Sequence, residues 1–292
     1  MNDEEKLSNP KKTIEIIQKY QFSFQKKFGQ NFLIDSHVIH KMIDAAQITD
    51  QDFVLEIGPG IGTLTQYLAE SAREVMAVEI DRALLPILSE TLSSYSNVTV
   101  VNADILKLDI AAAARGKNNG QKIRVAANLP YYITTPVIMS LLEKHLPIRS
   151  ITVMVQKEVA MRMQAGPGTR DYGALSLAVQ YYAKPSIAAN VPPNFFIPRP
   201  NVGSAVIHLE CLDKPPVEVK DEQMLFRVIR ASFNHRRKTM INALRESPDL
   251  NMTRQQAADA LERTGLPENV RGEQLSLEQF ARVADALADP RL

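Results

Sequence analysis

Val54-Leu-Glu-Ile-Gly-Pro-Gly-Ile-Gly-Thr-Leu-Thr65 is the stretch from which the rest of the chain can be read. The apolar run Phe53, Val54, Leu55 and Ile57 predicts a buried strand. Three glycines follow at alternate positions, Gly58, Gly60 and Gly62, and then Leu64 and Leu68 fall on one face of a helix. Glycines at a strand-to-helix turn permit positive φ and let a ligand approach bare backbone.

Spacing separates the candidate ligands. A dinucleotide turn reads Gly-x-Gly-x-x-Gly and leaves room for a pyrophosphate on the helix N-terminus. Here the third glycine comes one residue early and Pro59 removes a donor. That disfavours a nicotinamide oxidoreductase and points to a nucleoside cofactor without a pyrophosphate, S-adenosylmethionine. An acidic residue should close the next strand about 20 residues on. Glu79 ends Glu74-Val-Met-Ala-Val-Glu79 and is placed to accept from ribose hydroxyls.

Strand and helix patterns then alternate: helix 82–92, strand Val98-Thr-Val-Val101, and Asp104 just beyond it. This is the pattern of a doubly wound α/β domain, whose ligands gather outside the carboxyl ends of the strands. Asp104 reads either as the acceptor for an adenine's exocyclic amine, with Ile105 against the ring, or as a helix cap. Earlier, Gln25-Lys-Lys-Phe-Gly-Gln-Asn-Phe-Leu33 places Gln30 and Asn31 to reach a cofactor's amino-acid end, with Phe28 and Phe32 beneath. It reads equally as a turn before the helix that starts near Asp35 and Ser36.

The strand Lys122-Ile-Arg-Val-Ala-Ala127 delivers Asn128-Leu-Pro-Tyr131. An exocyclic aromatic amine is a poor nucleophile because its lone pair is delocalised into the ring. Acceptors on both of its N–H groups, the Asn128 side-chain oxygen and the Leu129 carbonyl, favour a pyramidal nitrogen facing a methyl sulfonium. Pro130 stiffens the turn and Tyr131 offers a stacking face. The same tetrapeptide also makes a good strand-ending turn.

Composition narrows the classes. Across 292 residues, 34 Lys+Arg against 33 Asp+Glu give a net charge of +1, so any nucleic-acid binding rests on local patches. A single cysteine, Cys211, excludes an internal disulfide and fits a reducing cytoplasm. The five scattered histidines offer no metal cluster; His37 and His40, three apart on a helix, read as solvated. The acidic N-terminus is not a signal peptide, and no apolar run is long enough to span a bilayer.

Further along, Ile151-Thr-Val-Met-Val155 predicts a strand, 156–165 a helix and Gly166–Gly173 a loop, with Arg162 and Arg170 near it as phosphate contacts or solvated charges. The proline-stiffened 191–200 carries Phe195 and Phe196. One of them is placed to stack on an extruded base, and core packing is the competing reading. Ala205-Val-Ile-His-Leu209 closes the sheet, and Lys214-Pro-Pro-Val217 marks a boundary near 212. Helices follow at 253–265 and 276–288. Met224 to Arg245 holds Arg227, Arg230, Arg236, Arg237, Lys238 and Arg245 with no acid, a basic patch suited to phosphates. Arg227, Lys238 and Arg245 share one face if the helix is continuous.

Together these pieces resemble the ribosomal RNA adenine-N6,N6-dimethyltransferase family. The matching residues are Phe28-Gly-Gln-Asn-Phe-Leu33, Glu56-Ile-Gly-Pro-Gly-Ile-Gly62, Val78-Glu-Ile-Asp81, Asn102-Ala-Asp104, Asn128-Leu-Pro-Tyr131, Pro193–Val202 with Ser204-Ala-Val206, and Phe233-Asn-His-Arg-Arg-Lys238. The resemblance implies a Rossmann-like S-adenosylmethionine-dependent domain over 1–212 and a helical RNA-binding domain over 213–292. It implies a cofactor site of Asn31, Leu33, Gly58, Glu79, Asp104 and Asn128, completed by Gln30, Gly60, Ile80 and Ile105. Asn128, Leu129 and Tyr131 would hold the target adenine, with Phe196 on its other face. Leu129 and the long tail with Arg236-Arg-Lys238 resemble the branch that modifies two adjacent adenosines near the 3′ end of 16S rRNA within the 30S subunit, the branch tied to kasugamycin sensitivity. They fit less well the 23S branch of macrolide resistance. The expectation is a cytoplasmic, metal-free monomer, the competing class being an assembly checkpoint acting mainly by binding 30S.

Overall fold

The computed structural model describes residues 3–25, 29–115, 117–118 and 120–288. They divide into two compact units. One runs to Ala160 and resumes over Lys184–Cys211; the other comprises Met161–Ala183 and the described residues from Leu212. Among the described residues, no helix is long and apolar enough to cross a membrane. No group of three or more His, Cys, Asp or Glu among them is arranged to hold a metal.

In the first unit, α1 (Pro10–Lys19) is capped by the Asn9 side chain on the Lys11 N–H, with Pro10 in the first turn, where its missing donor is not needed. After β1 (Phe32–Leu33), α2 (Ser36–Ala46) starts at Asp35, whose carboxylate accepts from Val38 N–H. Alternation then holds: β2 (Phe53–Ile57), α3 (Thr63–Ser71), β3 (Glu74–Glu79), α4 (Leu85–Thr91), β4 (Val98–Asn102), α5 (Ile110–Ala114), β5 (Ile123–Asn128), α6 (Thr134–Glu143) and β6 (Ile148–Gln156). The unit closes with β7 (Ala183–Val191), β8 (Phe196–Ile197) and β9 (Ser204–Cys211).

The main sheet has the order β4-β3-β2-β5-β6-β9-β7. β2 through β6 run parallel, and β9 is antiparallel to β6. The winding reverses between β2 and β5, so the crevice for a ligand opens at their carboxyl ends. β2 is buried at every residue, as a parallel strand covered on both faces must be. Leu33, Ile39, Val54, Leu68 and Phe196 share one core cluster. Phe32, Ile61 and Leu88 centre a second, with Phe22 and Phe24 against it. β1 and β8 form a separate antiparallel pair, Phe32 opposite Ile197 and Leu33 opposite Phe196.

The sequence reading passes from the Gly166–Gly173 loop to Val191 without elements, yet β7 fills this gap together with α8 (Ala174–Tyr182). The helix runs into the strand with no glycine or proline between them, and Pro185 reads as a breaker although an edge strand tolerates it.

The second unit takes in the end of α7 (Lys157–Gln164), α8, α9 (Glu222–Asn234), α10 (Met240–Arg245), α11 (Arg254–Arg263) and α12 (Leu277–Leu287). Met161–Ala183 joins this unit, although the sequence reading assigned it to the methyltransferase domain. Aromatic packing is the reason. Tyr182 stacks on Phe226 at 5.7 Å and donates to Glu222 at 2.5 Å, and Tyr172 meets Phe233 edge-on at 5.9 Å. The helix over 224–245 is not continuous, so the condition for a shared face of Arg227, Lys238 and Arg245 is not met. α9 ends at Asn234, a turn follows, and Thr239 bridges to Arg271 before α10 begins.

Candidate active site

The glycine turn needs its glycines for different reasons. Gly58, Gly60 and Gly62 have φ of 67°, 61° and 97°, the left-handed region that L side chains rarely enter. A Cβ at Gly58 would meet nothing within 4 Å, so its backbone faces open space. A Cβ at Gly60 would lie 3.0 Å from the Phe32 ring. Gly58 N–H donates to Val78 O (2.9 Å) and Gly62 N–H to Pro59 O (2.9 Å).

Glu79 clamps this turn. Its Oε2 accepts from Gly60 N–H (3.2 Å) and its Oε1 from Asp81 N–H (2.8 Å). Burial pushes its carboxyl up to about 7 despite those donors, and the Asp81 charge adds to the rise. Asp81 accepts in turn from Gln30 Nε2 (2.8 Å), while Gln30 Oε1 accepts from Gln25 N–H (3.1 Å). The Gln30 amide is therefore committed at both ends, and it ties the 29–33 segment to the end of β3.

At the end of β5, Asn128 Nδ2 donates to Asn31 O (2.9 Å). The side chain is thereby fixed, and Oδ1 accepts from no group among the described residues. The Leu129 N–H donates to Met154 O (3.3 Å); its carbonyl accepts no hydrogen bond among the described residues, and the side chain is buried. Tyr131 Oη is 2.8 Å from Ser204 Oγ, the first residue of β9. Asn31 Nδ2 donates to Gly29 O (3.0 Å). Asp104 Oδ1 accepts from Leu106 N–H (3.0 Å) in a local turn rather than at a helix cap, since the next helix starts at Ile110, and its other oxygen lies 3.8 Å from Lys107 Nζ.

These loops and strand ends enclose one cleft. It brings together Gln30, Asn31, Leu33, Gly58, Gly60, Glu79, Ile80, Asp104, Ile105, Asn128, Leu129, Tyr131 and Phe196, every position singled out for cofactor and base. Phe196 is buried in the core cluster as well as facing the cleft, so packing and lining are not exclusive; Phe195 packs half-buried against the same cluster. Ile80 stays half-exposed at the rim. Phe28 lies outside the described residues. Of the lining residues that sequence reasoning overlooks, two bear on chemistry. Tyr132, 58% exposed, follows the tetrapeptide directly. Glu56 belongs to the glycine motif, and an acid inside an otherwise apolar buried strand is itself a signal.

Among the described residues, charge in the cleft is one-sided: Glu56, Glu79 and Asp104 line it, and no described lining residue is Lys, Arg or His. Such walls suit a cationic nucleoside ligand and oppose a pyrophosphate. The open backbone at Gly58 and the unpartnered carboxyl oxygen of Glu56 fit S-adenosylmethionine, which carries both an adenosine and positive charge.

The six basic residues of 224–245 are spread over α9, the following turn and α10. Arg236 pairs with Glu273 (3.1 Å) and donates to Arg170 O (2.6 Å). Lys238 and Arg245 both pair with Glu246. Arg227, Arg230 and Arg237 have no ion-pair partner among the described residues. The run is free of acid in sequence, but Glu246 and Glu273 fold back onto half of it.

A family model described as ribosomal RNA adenine dimethylase matches residues 21–289. The chain is 63% identical over 282 residues to a ribosomal RNA small subunit methyltransferase A of Lachnoclostridium phytofermentans, covering 96% of this chain and 97% of that one. It is 51% identical to the protein of the same name from Alkaliphilus oremlandii, over 97% and 99% of the two chains. Among solved structures it is similar to a dimethyladenosine transferase from Plasmodium falciparum, with TM-score 0.73 and 25% identity over 86% and 95%. It is also similar to the 23S rRNA methyltransferase ErmE, with TM-score 0.67 and 27% identity over 89% and 100%.

Proposed function

The chain belongs to the ribosomal RNA adenine dimethylase family, and on that premise we propose that it dimethylates the N6 amines of two adjacent adenosines near the 3′ end of 16S rRNA. The substrate is the RNA within the 30S subunit, and the enzyme acts as a cytoplasmic, metal-free monomer. The observation that carries this reading is the pair of uncommitted acceptors, Asn128 Oδ1 and the Leu129 carbonyl, on the rim of a carboxylate-lined cleft. Relatives named for the small subunit at 63% and 51% identity favour that branch over the 23S branch, for which ErmE stands at 27%.

Bound S-adenosylmethionine supplies an electrophilic methyl on a sulfonium. Gly58, Glu79, Asp104, Asn31 and Leu33 hold it, with Gly60 and Gln30 setting the shape of the turn and of the 29–33 segment. Ile80 and Ile105 offer apolar contact to its adenine. Asn128 Oδ1 and Leu129 O accept from the two N–H groups of the target amine and draw its lone pair out of the ring plane. Tyr131, held by Ser204, and Phe196 hold the base between them, and extrusion from an RNA strand exposes its faces for that purpose. No general base is required, because the amine's proton leaves after transfer. Arg227, Arg230 and Arg237, together with the paired Arg236, Lys238 and Arg245, supply phosphate contacts from the helical domain.

The test is incubation of the protein with labelled S-adenosylmethionine and separated, unmethylated ribosomal subunits. Label entering 30S alone is the expected result; label entering 50S alone would move the chain to the other branch.

A further inference from the structure

Three large apolar side chains of the first unit are left exposed just past the ends of neighbouring strands. They are Ile80 after β3, Leu106 after β4 and Tyr132 after β5, the last two at 36% and 58% exposure. Exposed apolar residues scattered singly need no explanation, but a group of them around one opening marks a contact surface. Ile80 is already given to the cofactor's adenine. Leu106 and Tyr132 have no such use. The Cδ1–Cε1 edge of the Tyr132 ring lies against Gly29, where a Cβ would be only 3.5 and 3.7 Å away. Its hydroxyl makes no hydrogen bond among the described residues, whereas that of Tyr131 is taken by Ser204. The ring rests on backbone along one edge and offers the rest of its surface to solvent.

Cations accompany these side chains. Arg82 is exposed, and its Nε donates to Asn102 Oδ1 (3.2 Å) while Asn102 Nδ2 donates to Glu79 O (2.7 Å), so the guanidinium is tied to the ends of β3 and β4. It has no ion-pair partner among the described residues. Lys107 follows Leu106 with its side chain 84% exposed, and its 3.8 Å approach to Asp104 is loose. Inside the opening the charge is carboxylate. An anionic group is therefore opposed within the cleft and matched only on this outer rim.

We propose that Tyr132 and Leu106, with Arg82 and Lys107, form a track for the single-stranded RNA next to the extruded adenosine. Neighbouring bases stack on Tyr132 and pack on Leu106, and their phosphates meet the two cations. This inference rests on the chain being an rRNA adenosine methyltransferase. A base held at Asn128 and Tyr131 stays covalently joined to its neighbours, and Tyr132, the next residue along the chain, is where the strand leaves the opening. Apolar faces interleaved with cations are what single-stranded nucleic acid needs, because every base has a stacking face and every linkage a charge. With two adjacent adenosines as substrates, the one awaiting reaction lies one nucleotide from the cleft, at the Tyr132 ring.

Binding of the full chain to unmethylated 30S subunits across a salt series tests the track, with thermal melts confirming that each variant folds. Tyr132→Ala should weaken binding about tenfold with the salt slope unchanged, since stacking is not ionic, and Tyr132→Phe, which keeps the ring, should bind as wild type does. Arg82→Ala combined with Lys107→Ala should lower the slope of log K against log salt by about one to two. Calorimetric affinity of that double variant for S-adenosylmethionine should match wild type. A loss of donor affinity as large as the loss for 30S would make the effect one of the cofactor and overturn the track. So would a Tyr132→Phe as weak as Tyr132→Ala, or an unchanged salt slope in the double variant. p-Benzoylphenylalanine placed at position 106 and irradiated on the particle should attach to 16S rRNA; attachment to ribosomal protein alone would make this a protein contact and overturn the assignment to RNA. Wild-type protein that labels neither ribosomal subunit removes the proposed function and the track together. Normal labelling by wild type, with variants that bind as tightly, removes the track alone.

Discussion

The amide nitrogen of Asn128 donates to the main-chain carbonyl of Asn31, 2.9 Å away and 97 residues earlier in the chain. That bond joins the end of β5 to the 29–33 segment and decides which way the amide points. The nitrogen is held, and the oxygen is the atom left for substrate.

Asn128→Ala removes an acceptor and this tie together. Single-turnover methyl transfer should fall about 10²-fold or more, the scale of losing one positioned polar group at a reacting centre. Asn128→Asp keeps an acceptor but loses the donor to Asn31 O and adds a fourth carboxylate to the cleft, so it should also be impaired. Near-full transfer by Asn128→Ala in the same assay would sink the role assigned to the side chain.

Gly58 and Gly60 should fail differently. Gly60→Ala combines a strained positive φ with a Cβ 3.0 Å from Phe32, and should lower stability by about 2–4 kcal/mol. Gly58→Ala has the strain alone, about 1–2 kcal/mol, but places a methyl where the turn faces open space. Denaturant melts and donor titration together should rank Gly60→Ala lower in stability and Gly58→Ala lower in affinity relative to its stability loss.

Two buried acids set a pH dependence. The Glu56 and Glu79 carboxyls stand at about 8 and about 7 in the folded chain against an ordinary 4.5. Raised folded values mean their contribution is fully present below about pH 4.5 and is lost as pH rises through 7 to 8. Thermal melts of Glu56→Gln and wild type should agree most closely near pH 5. By pH 9 the variant should lead by an amount on the order of a few kcal/mol. A constant difference between the two across this range would contradict the assignment of a neutral Glu56.

Of the six basic residues in 224–245, Arg227, Arg230 and Arg237 are those without an ion pair among the described residues, and they should contribute most of that run's RNA affinity. Changing all three to Ala should weaken binding to the small subunit and reduce the slope of log K against log salt by about two to three. Arg236→Ala removes a bond to Glu273 and one to Arg170 O, so its effect should appear in thermal stability as well as in binding.

Much of the site was legible because its residues sit where local chemistry is strict. Alternate glycines, an acid closing β3, Asp104 after β4 and Asn128 after β5 all fall at strand ends, where a doubly wound sheet gathers ligands. The structure brings these positions into one cleft. What escaped depends on distant partners. Nothing near Gln30 in sequence announces Asp81, and nothing in 224–245 announces that Glu246 and Glu273 fold back on its cations. α8 and β7 were lost because no turn residue separates them. The assignment of Met161–Ala183 to the helical unit comes from Tyr172, Tyr181 and Tyr182 meeting Phe233 and Phe226, a pairing no local pattern encodes.

The most direct measurement is nucleoside mass spectrometry of 16S rRNA from unmethylated 30S subunits after exhaustive reaction with S-adenosylmethionine. The account predicts two N6,N6-dimethyladenosines per particle, on adjacent adenosines near the 3′ end, and none with Asn128→Ala. Methylation of a different nucleoside, or 30S binding with no methyl transferred under any salt condition, would contradict it.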